Sequence, residues 1–296
     1  MSFINNAHPG SQINLLCLIF RVLSRSPNKY TAKELQEYCA PESLFSKDDH
    51  KKRFKDTLNF WSQPSHRLWE EDTNEKLFLS LPVEFTGDTP ADVAHQLRHL
   101  LMKAEFSDIM ADDDEQGASK AIRSFAFILT QDQFTIFKET LTRDNVDGSF
   151  ASDFGQYSLN DSEKSYFIEF CNFIGLSENI AGNEHIDPTR LIISFLGDIF
   201  SGEKVLSASD FVSQLSENVP IIDNGRHNRV VREAVGAEID MPNSLSVNLS
   251  HALNRLHEAR VLMFSTLSDD VNAVTLNYPN DQSEQISSVE LVGGSH

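Results

Sequence analysis

The sequence has few cysteines and no long hydrophobic run. Cys17, Cys39 and Cys171 are isolated among 296 residues, and an odd number of scattered cysteines argues against a disulfide framework. No stretch approaches the roughly 20 apolar residues that span a membrane. The most apolar run, over 13–23, follows twelve residues without Lys or Arg, which does not fit a secretory signal peptide. We therefore expect a cytoplasmic protein without a membrane-spanning segment.

Motifs of catalysis and of cofactor binding are also absent. The sequence contains no GxxxxGK[ST], GxGxxG, GxSxG or HExxH pattern. The acidic stretch 112–123 begins like a calcium loop, but Arg123 occupies the position that requires a bidentate Glu. His95 and His99 have a spacing that can chelate a metal, yet no third ligand lies near them in the sequence. We expect no enzymatic activity, no cofactor and no metal site.

Positive charge is scarce and unevenly distributed. The chain has 25 Lys and Arg against 44 Asp and Glu, a formal net charge of −19. Residues 1–86 contain 11 of the basic and 11 of the acidic residues, so 14 basic and 33 acidic residues remain beyond position 86. That difference accounts for the whole excess of −19. Only the first segment is therefore free of a net repulsion from a polyanion such as DNA.

Residues 1–86 show the pattern of a winged helix-turn-helix domain. An apolar helix is predicted over 13–23. Thr31 and Glu34 form a capping-box pattern that opens a second helix. A third helix is predicted over 48–61, followed by strands over 67–70 and 76–81. Three helices followed by a hairpin is the order of a winged helix.

A similar order recurs in residues 188–280. Helices are predicted after Pro188, over 207–220 and after residue 244, and strands over 261–265 and 273–277 are expected to pair as a second wing. Residues 87–187 are interpreted as a helical middle domain, compatible with a degenerate winged helix whose wing follows residue 174. The polar tail 281–296 is expected to be disordered. The predicted fold class is mainly α with small β-hairpin wings, arranged as tandem winged helix-turn-helix domains.

A basic cluster on the third predicted helix is the strongest functional signal. On a recognition helix, such residues neutralise phosphates and dock the helix in the major groove. The alternative is the solvated outer face of an amphipathic helix, and four acids between positions 70 and 75 oppose DNA contact. The candidate DNA-binding residues are Lys47, Lys51, Lys52, Arg53 and Lys55 on the helix and Arg67 and Lys76 on the wing.

A second basic cluster lies in an acidic part of the chain. Arg226, Arg229 and Arg232 follow an Asn-Gly turn and are candidates for contact with phosphate or with a carboxylate of a partner. The alternative, which we favour at this point, is that these arginines pair with acids of their own domain.

Three short segments resemble one known family. They are "HIDPTRLI" (185–192), "VPIIDNG" (219–225) and "LSHALNRLHEARVL…SDD" (249–270). In these segments the chain resembles DpdG proteins, accessory proteins of bacterial gene clusters that insert 7-deazaguanine into DNA and restrict unmodified DNA. The resemblance implies a role on the restriction side of an anti-phage system, with helicase and nuclease partners. It supplies no active site to transfer.

Two functional hypotheses follow from the sequence. The first is a non-catalytic accessory subunit of a DNA-restriction system that binds double-stranded DNA through its N-terminal winged helix. The second is a protein–protein interaction scaffold whose winged-helix domains do not contact DNA. A continuous positive surface over residues 47–67 would favour the first hypothesis.

Overall fold

The computed structural model describes residues 12–41, 48–80, 89–105, 108–110, 117–131, 141–149, 159–237 and 243–293. Over these residues the protein is mainly helical, with antiparallel sheets of two or three strands, as predicted. The helices are α1 (Ile13–Arg25), α2 (Ala32–Cys39), α3 (Asp48–Phe60), α4 (Pro90–Lys103), α5 (Gly117–Thr130), α6 (Arg143–Ser149), α7 (Asp161–Phe173), α8 (Thr189–Ile193), α9 (Leu196–Phe200), α10 (Ala208–Asn218), α11 (Arg226–Val235) and α12 (Val247–Glu258). The strands are β1 (Trp69–Glu71), β2 (Leu77–Leu79), β3 (Ser177–Ile180), β4 (Asn183–Ile186), β5 (Val205–Ser207), β6 (Leu262–Ser265), β7 (Val274–Tyr278), β8 (Gln282–Ile286) and β9 (Ser288–Leu291). Within this part of the chain, no helix has the length and apolar content to cross a membrane.

The chain divides into two compact units. The first unit comprises Met1–Phe106, Ala111–Ala121 and Asp161–Phe170. The second unit comprises Ser107–Met110, Ile122–Asn160 and Cys171–His296. Each unit buries its own set of aliphatic and aromatic side chains.

In the first unit, α1 is the central helix of the N-terminal part. It packs against α2, α3, α4 and β2. Leu16, Ile19, Phe20 and Leu23 are fully buried, at the spacing of one helical face. Leu18 lies on the opposite face and is exposed, so the helix is less completely enclosed than its apolar sequence suggests.

The ends of α2 follow the sequence signals closely. The Thr31 hydroxyl accepts a hydrogen bond from the backbone N–H of Glu34 (3.3 Å), and a Glu34 carboxylate oxygen accepts one from the backbone N–H of Thr31 (2.8 Å). This confirms the predicted capping box, which satisfies two N–H groups that the first helical turn leaves free. The helix ends at Cys39, before Pro41.

A short hairpin completes this part of the first unit. β1 pairs with β2 in antiparallel register, with Trp69 opposite Leu79 and Glu71 opposite Leu77. The segment before α2 joins the hairpin, because the Leu77 N–H donates to the Tyr30 carbonyl (2.8 Å) and the Asn28 N–H donates to the Leu77 carbonyl (3.1 Å). Two backbone bonds therefore fix the start of α2 to the edge of the hairpin.

In the second unit, β3 and β4 form an antiparallel hairpin, as the sequence suggested for the segment after residue 174. The turn contains Ala181 and Gly182, both with positive φ (52° and 87°). Two positive φ values suit the twist of a two-residue hairpin turn. The helix expected to continue from Pro188 is divided into two short helices, α8 and α9.

The C-terminal strands differ from the prediction. The strands β6 and β7 were expected to pair with each other, but β6 pairs with β9, and β7 pairs with β8. β9 lies between β5 and β6 in a three-stranded sheet. The prediction of a disordered tail is therefore wrong for 282–291, because Ile286 and Val289 are fully buried in these strands. The polar residues between these apolar positions masked the strand signal.

Candidate nucleic-acid interface

The outer face of α3 carries exposed basic side chains. Phe54 and Leu58 are buried on the inner face. Lys52, Arg53 and Lys55 are exposed, and Lys51 is half-buried. Lys52 and Lys55 stand three residues apart on one side of the helix. The structure thus brings together the central part of the predicted basic cluster, whereas Lys47 lies outside the described residues.

The two predicted basic residues of the hairpin are held by acids of the same unit. Arg67 forms an ion pair with Glu70 (3.3 Å between a guanidinium nitrogen and a carboxylate oxygen). The Lys76 ammonium lies 2.6 Å from a carboxylate oxygen of Glu34, 42 residues away in sequence. The hydrogen bond from Lys76, followed by that from the Thr31 backbone, lowers the pKa of Glu34 to about 2. Neither cation adds a freely oriented charge to the α3 face.

Acidic side chains surround the hairpin turn. Asp72 has a structural role there, since its carboxylate accepts hydrogen bonds from the backbone N–H groups of Asn74 and Lys76, both at 2.8 Å. Glu71 and Glu75 are exposed. The tip of the hairpin therefore presents negative charge, as the sequence indicated, and is unfavourable for contact with a phosphate backbone.

A cleft of about 350 Å³ lies between the end of α3 and the hairpin. Its lining combines a small apolar surface with polar side chains, including one guanidinium and two carboxylates. The lining residues are Ala32, Leu58, Asn59, Ser62, Arg67, Trp69, Glu70, Glu71 and Leu77.

A pair of tyrosines forms a surface feature that the sequence patterns did not predict. The rings of Tyr30 and Tyr38 stack with centroids 5.3 Å apart and planes inclined by 26°. The Lys29 ammonium lies over the Tyr30 ring, 5.0 Å from its centroid. Tyr38 is 62% exposed. The only sequence signal for this pair is the position of both tyrosines beside the start and the end of α2.

The arginine cluster of the second unit is divided between surface and interior. Arg226 and Arg229 are exposed at the start of α11, a helix that the sequence patterns did not predict. Arg229 donates to the Asn224 carbonyl (2.7 Å). Arg232 is only 7% exposed and donates to the side-chain oxygen of Asn228 (3.0 Å). The burial of Arg232 and its bond to Asn228 assign this residue a structural role.

The residues weighed as metal ligands or nucleophiles have other environments. The rings of His95 and His99 lie against each other on α4, with centroids 4.6 Å apart. Arg123 is buried and donates to the Ile109 carbonyl (2.9 Å). Among the described residues, no group of three or more His, Cys, Asp or Glu side chains is arranged to hold a metal ion.

The three cysteines are withdrawn from solvent to different degrees: Cys17 and Cys171 are buried, and Cys39 is partly exposed. Burial raises the pKa of the Cys17 and Cys39 thiols to about 11, and that of Cys171 well above its usual range. A thiol with a raised pKa is a poor nucleophile at neutral pH, because the thiolate is the reactive form.

The fold and this surface define a mainly helical protein of two units, with a basic helix face and an acidic hairpin in the first. The chain belongs to the DpdG-like family, which matches residues 1–270. This confirms the resemblance recognised in three short segments of the sequence. Comparisons with curated proteins and with solved structures gave no match.

Proposed function

We propose that the protein is a non-catalytic accessory subunit of a bacterial DNA-restriction system, and that it binds double-stranded DNA through α3. The observation that carries the proposal is the group of exposed cations on the outer face of α3, Lys52, Arg53 and Lys55. Membership of the DpdG-like family supports an association with 7-deazaguanine modification systems and their defence against phage. The protein would act in the cytoplasm beside helicase and nuclease subunits.

The fold basis of this proposal is a winged helix at each end of the chain. In the first unit, α1, α2 and α3 precede the β1–β2 hairpin, and α3 would take the position of the recognition helix that enters the major groove. In the second unit, α12 would take the corresponding position, and the paired strands β6 and β9 would follow it. Residues 1–86, 87–187 and 188–280 would be the N-terminal, middle and C-terminal domains.

The charge distribution favours the first segment as the part of the chain that DNA approaches. Residues 1–86 are neutral overall, and the remaining residues carry the net charge of −19. A strongly acidic surface repels a polyanion over about 10 Å at moderate ionic strength. DNA would therefore approach the face that carries Lys52, Arg53 and Lys55.

The test is duplex binding by the full chain, measured by fluorescence anisotropy at several salt concentrations. If three phosphates are neutralised, the logarithm of the association constant should fall against log salt with a slope of about −2.7. Substitution of Lys52, Arg53 and Lys55 by Glu should remove most of this slope. Lys204→Glu with Arg260→Glu, which alters exposed cations of the second unit, is the matched control and should leave the slope unchanged. Equal loss in both variants, or no loss in the first, would contradict the proposal.

The hairpin favours a second candidate, a protein–protein interaction scaffold. Glu71 and Glu75 are exposed at its tip, while Arg67 and Lys76 are paired with Glu70 and Glu34. Such a surface suits a basic partner protein better than DNA. If this candidate is correct, Glu71→Lys with Glu75→Lys should weaken association with a purified partner subunit, and the triple reversal on α3 should leave duplex binding unaltered.

A further inference from the structure

The Tyr30–Tyr38 pair is an exposed aromatic surface, and the backbone of Tyr30 is fixed by hydrogen bonds. The Tyr30 carbonyl accepts the N–H of Leu77 (2.8 Å), and Thr31, the next residue, forms the capping box of α2. Tyr30 is thus fixed between the hairpin and the first turn of a helix. The backbone that carries the Tyr30 ring therefore does not need to be ordered when a ligand binds, which lowers the entropic cost of binding.

The outer face of Tyr38 is the accessible one. Its inner face is covered by the stacked Tyr30 ring, at a centroid distance of 5.3 Å. The 62% exposure of Tyr38 must therefore come mainly from the opposite face and the ring edge. A flat, exposed aromatic face backed by a second ring is the arrangement on which an unpaired base stacks.

The local charge is compatible with a nucleic-acid strand. Residues 25–39 contain Arg25, Lys29 and Lys33 against Glu34 and Glu37, a net charge of +1. The carboxylate of Glu34 is engaged by Lys76, and Lys29 and Lys33 are exposed. Helix α2 also packs against α3, the helix with the exposed basic face.

We propose that the Tyr30–Tyr38 pair is a stacking site for an unpaired nucleobase, with Lys29 and Lys33 beside it to contact the phosphates of the same strand. The inference rests on the proposed function and narrows its substrate. The preferred nucleic acid would then be a duplex with a single-stranded extension, with the duplex on α3 and the unpaired base on Tyr38.

A protein partner is the competing occupant, because tyrosines are also common in protein interfaces. The neighbouring charges favour the nucleic acid, because Lys29 and Lys33 are exposed beside the tyrosines. Of the two acids on α2, Glu34 is paired with Lys76, and Glu37 is the exposed acid that remains. A base also needs only a π face for recognition, and the pair offers one without any enclosing pocket.

The experiment compares three fluorescein-labelled DNAs with the full chain: a blunt duplex, the same duplex with a short single-stranded extension, and the extension strand alone. Tyr38→Ala should reduce the affinity for both DNAs that have unpaired bases by about thirtyfold, the middle of the range for loss of one stacked base. The affinity for the blunt duplex should change by less than about twofold, since α3 is unaltered. Tyr38→Phe should retain full affinity, because stacking requires the ring and not the hydroxyl.

Two further measurements identify the stacked base and control for loss of an apolar surface. A 2-aminopurine placed in the extension should be quenched by the unaltered protein and not by Tyr38→Ala. Leu267→Ala, which truncates a 67% exposed side chain of the second unit, should behave like the unaltered protein.

The binding measurements distinguish failure of the duplex site on α3 from failure of the stacking site on Tyr38. Loss of blunt-duplex binding on reversal of the α3 cations tests the duplex site alone. The stacking proposal is overturned if Tyr38→Ala leaves binding of the extended duplex unchanged, which would assign the tyrosines to a protein interface. It is also overturned if that substitution weakens the blunt duplex equally, or if the extension strand alone does not bind. Binding of the extension strand that depends on Tyr38 supports the stacking site even where the blunt duplex does not bind.

Discussion

Two groups of cations, one in each unit of this protein, have different environments. In the first unit, Lys52, Arg53 and Lys55 stand exposed on the outer face of one helix. In the second unit, the Arg190 guanidinium donates to the carbonyls of Asn172 (2.9 Å) and Ser177 (2.7 Å), and Arg255 pairs with the buried carboxylate of Asp187. The number of basic residues in a segment therefore says little about binding of a polyanion, because Arg190 and Arg255, although their side chains are 38% and 40% exposed, are already engaged by groups of their own unit.

Buried polar residues and exposed cations should also respond differently to substitution. Changes to polar groups inside the second unit should lower the free energy of unfolding. Changes to the cations of the first unit should alter DNA affinity and leave the fold intact. Four predictions test this separation, in order of decreasing effect.

Gly225→Ala should give the largest loss of stability. A Cβ atom at this position would lie 2.4 Å from the carbonyl oxygen of Pro220 and 2.6 Å from its carbonyl carbon. The Pro220 carbonyl also accepts the N–H groups of His227 and Asn228, so it cannot move away without loss of those bonds. We expect a loss of about 3 kcal/mol in the free energy of unfolding, measured by urea titration.

Gly197→Ala is the matched control for that substitution. No heavy atom lies within 4 Å of a Cβ at Gly197, on α9 of the same unit. Alanine in a helix is favoured over glycine by up to about 1 kcal/mol, so this variant should be as stable as the unaltered protein or slightly more stable. Equal destabilisation by both substitutions would exclude the contact with Pro220 as the cause.

Acidification should destabilise both units, because each contains a buried histidine that resists protonation. Burial lowers the pKa of His66 in the first unit and of His227 in the second, each to about 4. The unfolded chain titrates near 6.5 and binds more protons below that pH. Stability should be complete above pH 6.5 and fall as the pH decreases towards 4, by on the order of 2 kcal/mol for each histidine.

Single substitutions assign this pH dependence to each unit. His66→Phe retains an aromatic ring beside Phe60, whose centroid lies 4.3 Å from that of His66, and should flatten the curve of unfolding free energy against pH. His227→Leu should flatten it by a similar amount, and His251, whose pKa burial also lowers, should account for part of the remaining slope. An unchanged slope in both variants would show that neither histidine titrates in this window.

Asn248→Ala should cost about 2 kcal/mol, because it leaves buried carbonyl groups without their donor. The Asn248 amide donates to the carbonyls of Gln131 (2.6 Å) and Leu129 (3.3 Å) at the end of α5. Asn254→Ala, on the same helix α12, removes only an exposed hydrogen bond to Glu258 (3.3 Å) and should change the unfolding free energy by less than about 0.5 kcal/mol. Similar values for the two variants in thermal or urea unfolding would contradict a capping role for Asn248.

Glu34→Gln should give the smallest effect on the fold and a gain in DNA binding. Glutamine preserves the capping box with Thr31. It also releases the Lys76 ammonium from a carboxylate 2.6 Å away. One further phosphate contact would steepen the salt dependence of duplex binding by about 0.9. Lys76→Met in the same background should abolish the gain, and an unaltered slope in Glu34→Gln would show that Lys76 does not reach the DNA.

Local signals in the sequence predicted the helices of the first unit well. Phe54, Leu58 and Trp61 recur at helical spacing in the sequence and are buried in the structure, whereas Lys52 and Lys55 lie off that face and are exposed. The capping box at Thr31 was equally local. Each of these features depends on residues within about two helical turns, where the geometry is fixed by the helix itself.

Features that join distant residues were not predicted. The Lys76–Glu34 pair spans 42 residues, and the bonds of Asn248 to the end of α5 span more than 110. The pairing of β6 with β9 passes over an intervening hairpin, and the sequence favoured the nearer partner β7 instead. Helix α11 was missed because its short apolar face, with Val231 buried, lies among arginines.

The position of β9 has a consequence for chains that are shortened by proteolysis. β5 and β6 each pair with β9. Loss of Ser288–Leu291 would therefore leave both strands with an unpaired hydrogen-bonding edge. Exposed strand edges recruit other chains. A single cleavage before Ser288 should thus convert two protected strand edges into sites of aggregation at once.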